Sequence, residues 1–277
     1  MNRLLSIVAG LAVGSSLLAA NPAMATAAAP APIAAHAEEG ELYKKLIADV
    51  APALVTIKMV LKLEGGGDQA QDVEVTGLII DPSGMILISN AMIGGMMRMM
   101  TITPTNIKVL FEGDDDSAEG LSAKLVARDS ELDLAWFQID DEKAKSREFK
   151  SVDLSQGAAP ELGDGLFTLR RLDKFFDRKA VVAEGRMGGT TSKPRSLIVP
   201  SGFQVDPGAP VFGADGKLVG FGAFILPGDE DIEMGGIGQI YGRTGPLILP
   251  ASDVKKATER AKEVAAKAPA AETPAAA

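Results

Sequence analysis

The sequence predicts an all-β protein built of two six-stranded β-barrels, with a short N-terminal helix and a C-terminal helix. Three observations carry this expectation. Short strand-like stretches punctuated by glycine turns recur from residue 53 to residue 241. A highly charged connector at 140–150 (DDEKAKSREFK) divides them into two roughly equal sets. Strong helical patterning is confined to the two ends. Many short strands at even spacing, with helices only at the margins, is the pattern of closed antiparallel sheets.

Residues 42–50 (LYKKLIADV) place Leu42, Leu46 and Val50 at i, i+4 and i+8, the spacing of a short amphipathic helix, and Pro52 stops it. Residues 53–63 and 73–80 read as the first two strands, with Gly65-Gly66-Gly67-Asp68 as the loop between them. Leu78-Ile79-Ile80, then Asp81-Pro82-Ser83-Gly84, then Met85-Ile86-Leu87-Ile88 reads as a hairpin. Proline presets φ, glycine accepts a positive φ, and the aspartate side chain bonds its own backbone. Ser89-Asn90-Ala91 leaves the sheet. Residues 107–111, 121–127 and 134–139 complete the first set of strands. The second set is expected at 165–172, 179–187, 196–199, 210–213, 217–226 and 237–241, with Ala214-Asp215-Gly216 as a tight hairpin turn. Residues 251–266 (ASDVKKATERAKEVAA) are helical in composition, with Ser252 as N-cap and Asp253 in the first turn. The tail at 267–277 is Ala/Pro-rich and expected to be disordered.

The chain has 277 residues, 46% of them hydrophobic, which is long and apolar enough to form these barrels without covalent staples. Residues 1–25 read as a secretory signal peptide. Arg3 supplies the positive n-region, residues 4–18 the apolar stretch, and Ala23-Met24-Ala25 a small-x-small cleavage site, so cleavage is expected after Ala25. The apolar run is too short and too rich in Gly and Ala for a good membrane span. Residues 26–40 are an Ala/Pro-rich linker, leaving 41–266 as the folded unit, split into 41–145 and 146–266. The expected location is therefore periplasmic or secreted, without stable membrane insertion after cleavage. The formal charge is −9, or about −10 once the signal and its Arg3 are removed. With no marked Lys/Arg cluster, nucleic acid is not an expected partner. Cysteine is absent, which excludes disulfides, a thiolate nucleophile and cysteine metal ligation.

Four segments carry a family resemblance. The hairpin at 75–91 resembles the Deg/HtrA-type trypsin-like serine protease pattern Gly-x-Gly-Phe-Ile-Ile-Asp-x-x-Gly-x-Ile-Leu-Thr-Asn-His. Residues 125–135 (LVARDSELDLA) are similar to its Val-x-Asp-x-x-x-Asp-Leu-Ala run. Residues 203–212 (FQVDPGAPVF), followed by Asp215-Gly216-Lys217-Leu218-Val219-Gly220, are similar to its nucleophile strand and hairpin. Gly236-Ile237-Gly238 with residues 250–255 (PASDVK) resembles its closing strand and helix. The resemblance covers roughly 41–262 and implies barrels of the trypsin-like type. The chain ends about where the family's PDZ domain would begin, so a member without one is expected.

The same resemblance places the family's catalytic triad on Ala91, Asp133 and Pro207, where only the aspartate is of the required type. The mechanism needs a base that takes the serine proton and an aspartate that orients that base. The chain has one histidine, His36, which precedes the first expected element. Proline at the nucleophile position supplies neither Oγ nor N–H, and the nucleophile's own N–H is one of the two oxyanion donors. No serine occurs between Gly202 and Pro250. Ser201 would serve only in a substantially different strand register. Asp133 is expected either to accept backbone or hydroxyl hydrogen bonds, with Ser89 or Asn90 as the donor residue, or to act as a lone general base.

Two other features stand out. Met92, Met96, Met97, Met99 and Met100 form a cluster that suits core or interface packing, a peptide-binding lip, or Cu(I). Asp114-Asp115-Asp116 with Glu119, and Asp229-Glu230-Asp231 with Glu233, lack the spacing of a Ca²⁺ loop and read as solvated charge. No cofactor or metal is expected. The function expected is an exported, catalytically silent relative of the trypsin-like proteases that binds an extended peptide or an unfolded protein segment. The alternatives are an active hydrolase with another constellation, and a structural or metal-binding envelope protein.

Overall fold

A computed structural model describes residues 32–63, 70–95, 101–114, 118–156, 159–225 and 245–267. They form two closed six-stranded antiparallel barrels. The first is built from β1 (Leu54–Leu63), β2 (Ala70–Asp81), β3 (Met85–Ser89), β4 (Ile102–Leu110), β5 (Leu121–Asp129) and β6 (Leu134–Ile139), in the order β1-β2-β3-β6-β5-β4. The second holds β7 (Gly165–Arg171), β8 (Ala180–Thr190), β9 (Ile198–Ser201), β10 (Pro210–Gly213), β11 (Leu218–Ala223) and β12 (Leu247–Pro250), in the order β10-β11-β12-β9-β8-β7. Helix α1 (Pro32–Val50) precedes the barrels and helix α2 (Ala251–Lys267) follows them. Among the described residues no helix is long and apolar enough to cross a membrane.

The β2–β3 hairpin forms as its residues dictate. Leu78 pairs with Leu87 and Ile79 with Ile86. The turn closes with Gly84 N–H donating to Asp81 O at 2.9 Å and Ser83 N–H to Asp81 Oδ1 at 3.0 Å. Gly84 sits at φ +88°, which a side chain would strain. Leu54, Ile57, Leu78, Ile86, Ile88 and Phe137 are fully buried in the first barrel. Gly77 is required there, since a Cβ at that position would lie 2.6 Å from Ile86 Cγ2.

Several elements differ from expectation. Helix α1 starts at Pro32, so residues 32–40, expected as linker, are helical; alanine and glutamate propagate a helix and proline is tolerated in its first turn. Strand β4 starts at Ile102, although Thr103-Pro104-Thr105-Asn106 has the composition of a turn. A bulge reconciles the two. The β1–β4 register shifts between Lys58 and Val60, and Asn106, a residue that tolerates the left-handed region, has φ +50°. The second barrel is closed by β12 (Leu247–Pro250), while the strand expected at 237–241 lies outside the described residues. Helix α2 begins at Ala251, which puts Ser252 inside its first turn. The expected signal peptide, the loop at 65–68, Met96 to Met100, Asp115, Asp116, the 229–233 acidic run and nearly all of the tail also lie outside the described residues.

Buried polar contacts tie the parts together. Arg171 on β7 is almost fully buried and donates to Leu54 O, Ala51 O and Arg178 O at 2.8–3.0 Å, pinning the start of β1 to the second barrel. On α1, Leu46 and Val50 are buried, and the Tyr43 ring meets Phe167 edge-on while its hydroxyl bonds Glu184. Helix α2 buries Ala251, Val254, Ala257, Thr258 and Ala261, and Thr258 Oγ1 accepts the indole N–H of Trp136 at 3.1 Å. Both barrels are thereby held around the groove between them.

Candidate functional site

The three sequence-predicted positions come together at the junction of the barrels. After β3, the chain turns sharply into a 3-10 turn at Asn90–Ile93, which ends on Gly94 at φ +87°. This turn presents the Ala91 N–H to the β5–β6 loop. That loop is shaped by Asp129, whose Oδ1 accepts from the N–H groups of Glu131 and Leu132. It delivers Asp133 in a left-handed conformation at φ +57°, from which the side chain points into the protein.

Asp133 is buried, with 4% of its surface exposed. Its Oδ1 accepts the Ala91 N–H at 2.6 Å. Its Oδ2 accepts Ser89 Oγ–H at 2.6 Å and the Phe224 N–H at 2.7 Å. The Asp133 carbonyl also accepts the Asn90 N–H at 3.0 Å. Loss of solvent pushes the carboxyl up from 3.8 to about 6, and the bonds from Ser89, Phe224 and Ala91 pull in the opposite direction. The expectation that this carboxylate accepts hydroxyl and backbone bonds is met, with Ser89 as the hydroxyl. Phe224 was not foreseen. Its contribution comes through the main chain at the end of β11, so its side-chain type carries no signal for it.

The loop before β10 supplies the other wall. Pro207 has no N–H. Gly208 N–H donates to Gly222 O at 2.8 Å, and Ala209 N–H to Asp206 O at 3.1 Å. No donor of residues 207–209 therefore points into the groove. Gly208 has φ +85° and packs close to the first barrel; a Cβ there would lie 3.2 Å from Ser89 N. Between the walls is a cleft of about 270 Å³ lined by Glu74, Thr76, Met92, Arg170, Asp206 and Pro207 among others. Arg170 and Asp206 form an ion pair of 3.6 Å on its second-barrel side, with both side chains about half exposed. Met92, the one described member of the methionine cluster, is 41% exposed at its edge.

Chemically, this arrangement holds a buried carboxylate whose donors are all structural. The hydroxyl it touches, Ser89, is completely buried. Of the acidic residues expected as solvated charge, Asp114 caps the Phe111 N–H at 2.8 Å and Glu119 pairs with Lys143 at 2.7 Å.

No family model and no curated protein sequence matches the chain. Solved structures do. The crystal structure of Deg5 is similar at a TM-score of 0.53 with 17% identity, over 79% of this chain and 93% of that one. The MamO protease domain from Magnetospirillum magneticum, in its apo form, is similar at a TM-score of 0.49 with 17% identity, over 76% of this chain and 97% of that one. Likeness at this identity concerns the fold alone.

Proposed function

We propose, from the premise that this chain carries a trypsin-like double barrel of the Deg/HtrA type, that it is a non-catalytic homologue which binds an extended peptide or unfolded protein segment in the inter-barrel cleft. The observation that supports this most is the set of donors on Asp133: two fill Oδ2 and one lies on Oδ1. In a working triad one carboxylate oxygen receives the imidazole N–H. Here Oδ2 is filled by Ser89 and Phe224, and Ala91 has no ring to offer. Pro207 removes the hydroxyl and an oxyanion donor together. The Ser89–Asp133 pair does not replace the triad, because burial keeps that hydroxyl from any substrate. What remains is a groove with a charged and thioether lining between two sheets, a setting suited to an extended chain held by main-chain bonds. The 1–25 segment favours export to the periplasm or beyond.

Labelled, carboxymethylated casein tests both halves of the reading. Its anisotropy is expected to rise on addition of the protein while no fragments appear, and a serine-directed fluorophosphonate is expected to leave the protein unlabelled. Met92→Glu with Arg170→Ala is expected to weaken the anisotropy change. Fluorophosphonate labelling or fragment release overturns the non-catalytic claim; unchanged binding by the double variant overturns the placement in the cleft.

A further inference from the structure

Large aromatic side chains are seldom left in water. The hairpin between β7 and β8 leaves two of them side by side at its tip. Phe175 is 84% exposed and Phe176 57%, and their rings meet edge to face with centroids 5.1 Å apart. The other exposed large apolar side chains among the described residues, Ile47, Met92, Leu162 and Val264, come singly in sequence. Leu162 precedes β7 and belongs to the opposite end of the same hairpin.

The tip is a built structure. It consists of one 3-10 turn, Lys174–Phe176. Asp173 Oδ1 accepts the Phe175 N–H at 2.9 Å, and Asp173 O accepts the N–H groups of Phe176 and Arg178 at 2.9 and 3.3 Å. Asp177 N–H donates to Lys174 O and Lys179 N–H to Phe176 O, both at 3.1 Å. Each N–H from 175 to 179 is thus answered inside the tip. Asp177 and Arg178 hold left-handed φ values of +56° and +50°, a conformation that residues with a Cβ resist. The Arg178 guanidinium meets Glu74 on β2 at 3.1 Å and fixes the base of the tip to the first barrel. The two rings therefore stand on a stiff support, which has little order left to lose on contact.

A stable protein interface buries about 800 Å² on each partner. This apolar patch is two rings wide, and its border of Asp173, Lys174, Asp177 and Lys179 is exposed and charged. A lipid bilayer asks for no matching shape. Its headgroup boundary admits apolar side chains to a depth of about 5–10 Å. It favours main chain whose N–H groups are already bonded, and it lets lysine stems lie along apolar surface with the ammonium among the headgroups. The tip meets all three conditions. Charge selects the lipid. The two lysines and two aspartates of the border cancel, Arg178 is answered by Glu74, and the chain as a whole carries −9. An anionic surface repels such a chain, whereas a zwitterionic one does not.

We propose that the Phe175–Phe176 tip is a wedge that seats the protein on a zwitterionic lipid surface. The contact is peripheral and reversible, with no element crossing the bilayer, and it does not depend on peptide binding in the inter-barrel cleft.

The test uses the full chain with vesicles of phosphatidylcholine, alone or mixed with phosphatidylglycerol. The one tryptophan of the chain, Trp136, is buried, so Phe175→Trp adds a reporter at the tip. Its emission is expected to move to shorter wavelength on phosphatidylcholine vesicles and to be quenched by lipid brominated on the acyl chains. In flotation, Phe175→Ser and Phe176→Ser are each expected to lower the partition coefficient about tenfold, and phosphatidylglycerol is expected to lower that of the wild type. Both rings are exposed, so urea melts of the serine variants are expected to match wild type, which separates loss of contact from loss of fold. Serine variants that float like wild type, a reporter that stays unquenched, or binding that phosphatidylglycerol strengthens overturns the proposal. An emission shift that grows with protein concentration in the absence of vesicles would assign the tip to a second copy of the chain, and overturns it as well.

Discussion

The two walls of the cleft are built to different standards. The first-barrel wall is closely bonded: one carboxylate, Asp133, gathers a hydroxyl and two N–H groups, from Ser89, Ala91 and, across the barrel junction, Phe224. The second-barrel wall keeps the strained glycine conformation of a tight loop, with Gly208 at φ +85°, but turns its N–H groups back into its own sheet and carries proline where a donor would stand. One wall carries a polar network centred on a carboxylate; the other carries a tight loop whose N–H groups bond within its own barrel. A catalytic arrangement asks a carboxylate to orient a mobile base, whereas a structural one asks it to hold backbone. Asp133 holds backbone at Ala91 and at Phe224.

The largest expected effect follows from removing that carboxylate. Asp133→Leu leaves Ser89 and the Ala91 and Phe224 N–H groups buried without acceptors. At about 1–3 kcal/mol for each orphaned donor, the loss in urea-melt stability is expected to be about 4 kcal/mol or more. A loss under about 1 kcal/mol would break the comparison by showing that the first-barrel wall is no firmer than the second.

A second measurement asks which form of Asp133 the fold prefers. Burial raises its pKa from 3.8 to about 6. Between those values the folded chain holds a proton that the unfolded chain has released, so the contribution of Asp133 to stability falls as pH rises through that window and is level above it. The full difference is about 3 kcal/mol. Urea melts from pH 3.5 to 7.5, with the Asp133→Asn curve subtracted to remove other groups, are expected to show this decline. A difference that climbs with pH instead would mean that hydrogen bonding outweighs desolvation.

On the opposite wall, Gly208→Ala is expected to cost about 1–2 kcal/mol, because an L-residue resists the left-handed region and its Cβ would press on Ser89 N at 3.2 Å. Thermal melts read the cost directly. A neutral result would mean that the loop is free to relax, and that its shape is less fixed than its hydrogen bonds to Gly222 and within the turn suggest.

The fold was legible wherever a local rule acts alone. The Asp81–Gly84 turn, the apolar runs on either side of it, and the helical composition of α2 each follow from a few adjacent residues. Strand β4 was read short because its bulge depends on the register with β1, which no window around Asn106 contains. Helix α1 was read short because alanine and proline suit a linker as well as a first helical turn. The acceptor role of Asp133 was legible as a residue type, since a carboxylate at the start of a strand is visible in the sequence. The main-chain donors were not: Phe224 reaches Asp133 through its N–H, and main-chain groups are the same in every residue.

The smallest expected effect is the restoration of activity. Ala91→His with Pro207→Ser returns an imidazole, a hydroxyl and one N–H, so by residue type the triad is complete. By occupancy it is not. For the new imidazole to be held in the right tautomer, its N–H must reach a free carboxylate oxygen. Oδ2 takes both Ser89 and Phe224, which leaves the ring only the second lone pair of Oδ1, beside the residue-91 N–H. Gly208 and Ala209 N–H groups remain committed to Gly222 and Asp206. Peptide-ester hydrolysis by the double variant is therefore expected to stay within about tenfold of background, against the several orders of magnitude a working triad supplies. Adding Ser89→Ala vacates one lone pair of Oδ2 and is expected to help more than any further change to the 207–209 loop. A large rate gain in the double variant alone would show that the donors on Asp133 yield readily to an imidazole, which would make the first-barrel wall a catalytic site awaiting its base rather than a structural clamp.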